Sequence, residues 1–163
     1  MLLTAQDTLD LVEFRPGTVD DVEGLVGLYE EFFHFSDLPN LGITFSRQNA
    51  SEWARRVIST GVCPHIVAID KTPPRSLVGS IGYMIDYSAT EPFASMDKFY
   101  VRVGWRLSAI GRVLLELATD AARADGAIAF RAGLSAGAPF SKNLFLKLGF
   151  AETPGSVLMA RRL

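Results

Sequence analysis

The sequence predicts an α+β domain, a single mixed sheet of about seven strands with helices on both faces. Three observations carry this expectation. Along 163 residues the apolar period changes in the order strand, helix, helix, strand, strand, strand, helix, strand, helix, strand, strand, as helices packed on a sheet require. No repeat, low-complexity run or linker divides the chain, and its length, with 48% hydrophobic and 21% charged residues, suits one folded core. A β-like run through Phe99-Tyr100-Val101 then bends abruptly into the apolar stripe Ile110, Val113, Leu114 and Leu117, a strand-to-helix corner.

Residues 1–10 read as a loose N-terminal arm and 11–163 as the domain. Leu11 to Arg15 alternates as a first strand. Thr18 with Asp21 three residues on is a capping-box-like helix start, and Val22, Leu25, Val26, Tyr29 and Phe33 keep helical spacing after it. Pro39, Asn40 and Gly42 break regular structure before Ser46, which is placed to cap a second helix carrying Ala50, Trp53, Ala54 and Val57 and stopping by Gly61. Val62 to Asp70 and Ser76 to Tyr87 read as a hairpin turned at Lys71–Arg75. Phe93 to Val103 is the next strand and Ile110 starts the next helix. Ala127 to Leu134 is a strand, Pro139 to Leu148 a short helix, and Phe150 to Leu163 a terminal hairpin turned at Pro154-Gly155.

A net charge of −2 and a pI near 5.7, with no Lys/Arg-rich run, provide no field to attract a nucleic-acid backbone. The uncharged stretch Val57 to Ile69 is shorter than the ~20 apolar residues that span a bilayer, and Met1–Thr4 lacks the positive start of a secretory signal, so the expected location is cytoplasmic. Cys63 is the single cysteine, which excludes an internal disulfide and a cysteine-based metal cage. It reads as a small buried thiol, with a nucleophile paired to His65 two residues away as the alternative. His34 has no partner at metal-ligand spacing, so no metal is expected.

The corner itself carries chemistry. The first amides of a helix point outward unpaired, with the positive end of the helix dipole behind them, which suits a pyrophosphate. Arg112 in that first turn opposes the dipole unless an anion lies nearby. Glu30, Glu31, His34 and Asp37 cluster among Phe32, Phe33 and Phe35, a grouping able to receive a cationic amine.

Three segments, in order, resemble one family. Val101 through Gly111 follows the pattern V-x-P-x-x-R-G-x-G-x-G/A at Val101, Arg106 and Gly111, with Val103 in place of the Pro and Leu107 and Ala109 in place of the first two glycines. Lys147-Leu148-Gly149-Phe150 matches the end of F-Y-x-K-L-G-F, and Arg15 through Asp21 is similar to R-x-A-T-x-x-D. These are motifs of the GNAT-type N-acetyltransferases, and the chain resembles that family over nearly its whole length.

The resemblance implies that the strands near 93–103 and 127–134, fourth and fifth in the sheet, run parallel and splay apart to admit acetyl-CoA. It gives the amides of Val101 and Val103 the pantetheine arm, and the loop Arg106, Leu107, Ser108, Ala109, Ile110 and Gly111, flanked by Arg112, the pyrophosphate. Asp97 stands where the family often has a Glu near the acetyl group and is expected as the base, sharing strand parity with Phe99 and Val101. The family's tyrosine acid, at the cofactor, falls at Phe145, which has no hydroxyl; Tyr83, Tyr87 or water is left to protonate the thiolate. Glu30, Glu31 and His34 are the expected acceptor-binding residues. The implied activity is acetyl transfer from acetyl-CoA to a primary amine of a small molecule or peptide, with a noncatalytic binding module of the same fold as the alternative. A homodimer through an exposed terminal strand is left open.

Overall fold

The computed structural model, which describes residues 5–36, 38–106, 109–134, 139–153 and 158–162, turns the apolar periods into twelve elements. They are α1 (Ala5–Asp10), β1 (Val12–Pro16), α2 (Val22–Phe35), α3 (Arg47–Thr60), β2 (His65–Asp70), β3 (Ser76–Asp86), β4 (Phe93–Val101), α4 (Ile110–Ala124), β5 (Ala129–Gly133), α5 (Pro139–Lys147), β6 (Ala151–Glu152) and β7 (Leu158–Arg162). The strands lie in one sheet in the order β1-β2-β3-β4-β5-β7-β6, antiparallel at every junction except the parallel β4–β5 pair.

Part of the expected arm is helical. The Gln6 side chain donates to Asp10 one turn on at 2.9 Å, Thr8 is buried, and the Leu11 N–H closes on the Thr8 carbonyl. A six-residue helix is too short to leave a periodic signature, so tertiary contact decides it. The strand expected to reach Val103 stops at Val101, because the chain turns through a 3-10 segment at Val103–Trp105. The Pro154-Gly155 turn lies outside the described residues.

Each face of the sheet carries its own core. On one side, Val22, Leu25, Val26 and Tyr29 of α2 and Ala54 of α3 pack on Val67 and Leu77. Where α2 begins, Asp21 accepts from the Thr18 N–H at 2.7 Å and from both Arg15 Nη atoms at 2.7 Å. On the other side, Ile110, Leu114 and Ala118 of α4 and Phe145 of α5 pack on Val78, Ile81 and Phe130. Complementary stripes on two helix pairs thus hold a sheet that neither pair could cover alone.

Two irregularities shape the centre. The β4–β5 ladder has three rungs, Phe93–Ala129, Ala94–Phe130 and Ser95–Arg131, after which β4 continues to Val101 paired, among the described residues, with β3 alone. Within β3–β4, Ile81 pairs with Phe99 but Tyr83 pairs with Met96, so Asp97 and Lys98 together oppose Gly82, a β-bulge on β4.

Candidate active site

The gap beyond Ser95 is lined by main chain. The Arg102 N–H donates to the Val78 carbonyl at 2.9 Å, and antiparallel pairing alternates, so Tyr100 also bonds toward β3 while the polar groups of Phe99 and Val101 point the other way. They face the opening between β4 and β5. The Arg106 Nε donates to the Val101 carbonyl at 3.0 Å, consistent with that direction. Gly111, in the first turn of α4, lies over the same strand; a β-carbon there would meet Phe99 Cζ at 3.4 Å and Leu144 Cδ2 at 3.5 Å. Strand amides and the N-terminus of α4 therefore converge on one mouth.

At the bulge, two consecutive side chains leave the strand on the same face. Lys98 Nζ lies 3.0 Å from Asp97 Oδ2, 3.6 Å from the centroid of the Trp53 ring and 5.1 Å from that of Tyr29. Tyr29 and His65 share a hydrogen bond of 2.6 Å between the hydroxyl and Nε2, and Nδ1 of His65 donates to the Cys63 carbonyl at 2.8 Å. With Nδ1 holding the proton, Nε2 is the acceptor and Tyr29 the donor. Burial pushes the Tyr29 hydroxyl up and the His65 imidazole down, with Asp97 and Cys63 adding to the rise at Tyr29. Burial likewise pushes the Cys63 thiol up to about 12. The ligand atoms of Cys63, His65 and Asp97 lie within 4.8 Å of one another, but both imidazole nitrogens are already engaged, by Tyr29 and the Cys63 carbonyl, and Lys98 pairs with the carboxylate.

Residues 25–150 match the Acetyltransferase (GNAT) family. The chain belongs to the GNAT acetyltransferase family. Solved structures agree on the fold. A ribosomal-protein-alanine N-acetyltransferase from Brucella melitensis superposes with a TM-score of 0.73 at 21% identity, over 93% of this chain and 99% of that one. A probable acetyltransferase gives 0.74 at 17%, over 86% and 91%. The aminoglycoside N-acetyltransferase AAC(6')-Iy in complex with CoA gives 0.73 at 14%, over 87% and 89%. No significant match to a curated protein sequence was found. No helix among the described residues is long and apolar enough to cross a membrane.

In this GNAT chain the residues singled out by sequence fall into separate groups. Val101 lines the gap, whereas Val103 is exposed in the 3-10 turn and does not extend the strand. Arg106 folds back, its guanidinium 4.9 Å from the Phe35 ring centroid and 5.1 Å from that of Tyr100. Ala109 and Ile110 begin α4, with Ile110 fully buried, and Arg112 is exposed; Leu107 and Ser108 lie outside the described residues. Phe145 is buried in the core, its ring edge-on to Phe99 at 6.0 Å and Phe150 at 4.9 Å.

Three expectations are corrected. Asp97 does not share the face of Phe99 and Val101, because the bulge breaks the alternation; Asp97 turns toward α2 and α3 while Phe99 packs on α5. Tyr83 donates its hydroxyl to Asp125 at 2.8 Å at the C-terminal end of α4, and burial raises its pKa, so its proton is committed there. Glu30 pairs with Arg47 and Glu31 with Arg102, while His34 is exposed at the edge of Phe33, so these acids are not a free cluster. Sequence reasoning missed Trp53, Tyr29 and Lys98 as one constellation. The available signal was the pair of adjacent charges, Asp97-Lys98, in an otherwise apolar strand, which marks a bulge better than a surface position.

Proposed function

We propose that this chain is an acetyl-CoA-dependent N-acetyltransferase acting on a primary amine of a small molecule or peptide. The observation that carries the reading is the three-rung β4–β5 ladder, beyond which the polar groups of Phe99 and the N–H of Val101 point away from β3 on the side of the α4 N-terminus. A strand edge of this kind fits the amide-bearing pantetheine arm, and helix N–H groups fit a diphosphate. Bound acetyl-CoA supplies the acyl group as an activated thioester.

The chain's own residues have separable tasks. Val101 and Phe99 hold the arm through main-chain groups, and the residues around Ala109 to Gly111 face the diphosphate. Arg106, braced on Phe35 and Tyr100, fixes the carbonyl of Val101. Asp97, just past the last rung, receives the proton of the acceptor ammonium so that a neutral amine is presented. Phe145, Phe99 and Phe150 form an apolar floor that keeps water from the α4 side. The thiolate takes its proton from solvent, since Tyr83 is engaged with Asp125. The reading goes with a cytoplasmic location, where acetyl-CoA is available and Cys63 stays reduced. Self-association is expected to be weak at the terminal edge, which the two-residue β6 closes.

Acetyl-CoA titrated into the protein should raise its melting temperature, by about 2.7 kcal/mol of added stability at a hundredfold excess over Kd. Arg106→Glu should lower that affinity. Absence of any shift at millimolar acetyl-CoA sinks the reading.

A further inference from the structure

The acetyl-transfer reading names an amine without saying which kind, and the β4 bulge bears on that choice. Of the four lysines, Lys71, Lys142 and Lys147 are exposed, whereas Lys98 is drawn inward, its side chain 29% exposed against 19% for its partner Asp97. Its ammonium rests over the Trp53 ring at 3.6 Å and beside Tyr29 at 5.1 Å, with the Asp97 carboxylate at 3.0 Å. A carboxylate and two aromatic faces around an ammonium on an alkyl stem are the contacts by which an alkylamine is recognised. They surround the group expected to deprotonate the acceptor.

The other acids near this face are not comparably available. Glu30 and Glu23 are held by Arg47 from α3, and Glu31 by Arg102. Asp97 alone among these is held by a lysine, a strongly hydrated cation on a flexible stem, which exchanges its position more readily than a forked guanidinium. The partial exposure of Lys98 provides its way out to water.

We propose that Trp53, Tyr29 and Asp97 form the ammonium subsite of the acceptor, that the side chain of Lys98 fills it in the free protein, and that the acceptor is a primary amine on an unbranched alkyl stem which displaces Lys98. This rests on the acetyltransferase reading and names its substrate class. Lys98 is then a specificity-determining residue: only an ammonium that competes with its own reaches the base.

The test uses n-butylammonium chloride without acetyl-CoA. The chain has two tryptophans, so in a Trp105→Phe background fluorescence reports on Trp53 alone. Removing the resident cation with Lys98→Ala should tighten butylammonium binding at least tenfold, n-butanol should give no comparable response, and adding Asp97→Asn should abolish the gain. Lys98→Gln should give the same gain and serves if the alanine variant does not fold. Equal affinity with and without the lysine, or an equal response to butanol, overturns the proposal. Acetyl-CoA binding with no butylammonium gain removes the subsite and leaves the acetyltransferase reading standing; a butylammonium gain with no acetyl-CoA binding supports the subsite and removes acetyl transfer.

Discussion

Gly82 of β3 sits against the imidazole of His65 on β2, its register partner, so closely that a β-carbon at 82 would lie 2.8 Å from Nε2 and 3.2 Å from Cys63 Sγ. The imidazole cannot yield, because Tyr29 holds one nitrogen and the Cys63 carbonyl the other. The missing side chain at 82 is what lets the bulge on β4 and the buried ring share one layer.

Gly82→Ala should therefore destabilise the fold by about 1–3 kcal/mol, the usual cost of overpacking a filled core. Gly111→Ala, which meets its neighbours at ordinary contact distance of 3.4 Å or more, should leave stability unchanged or slightly raised. Thermal unfolding of the two variants side by side checks the contrast, and equal melting temperatures would contradict it.

Stability should fall on mild acidification. Burial holds the folded His65 pKa below its ordinary value near 6.5, so below that pH the unfolded chain takes up the proton first. The stability is fully present above about pH 6.5 and is lost as pH drops from there toward the folded value. Melting temperatures between pH 8 and 5 should show this decline, and His65→Gln should flatten it even if its overall stability is lower.

Cys63 should be chemically silent in the folded protein. Its thiol is fully buried and pushed up to about 12, leaving almost no thiolate at neutral pH. An aromatic disulfide reagent should label it only at the rate of unfolding, and rapid labelling under native conditions would revive the nucleophile that the Cys63–His65 spacing suggested.

If Asp97 receives the acceptor's proton, Asp97→Asn should lower kcat by on the order of 10²–10⁴-fold while the Kd for acetyl-CoA stays constant. Steady-state kinetics with any accepted amine, paired with calorimetry for the cofactor, separates the two quantities. A rate that survives the substitution would assign the proton to water.

Much of the architecture was legible: the stripe on α4 has a helical period, and the short β-branched run of β2, bounded by Pro64 and the Lys71–Arg75 turn, reads as a buried strand from its length and flanks. Gly149, at φ +80 just past α5, takes the left-handed conformation that a glycine at a helix end allows. The site was less legible, since strand parity was assumed through Asp97 and a single inserted residue reverses it. Partners far apart in sequence, such as Tyr29 with His65 or Trp53 with Lys98, leave no local periodic trace. The short α1 was invisible for a related reason: its length is below what propensity alone can hold.

Past Ser95 the sheet behaves as two panels sharing a short seam. The polar rim exposed along Phe99 and Val101 belongs to the peptide backbone, which every residue type possesses, so it is indifferent to drift in the side chains above and below it. The side chains along it can change only as far as the packing of Phe99 on α4 and α5 allows, and the seam must stay short, because lengthening it by one or two further rungs would close the slot from within.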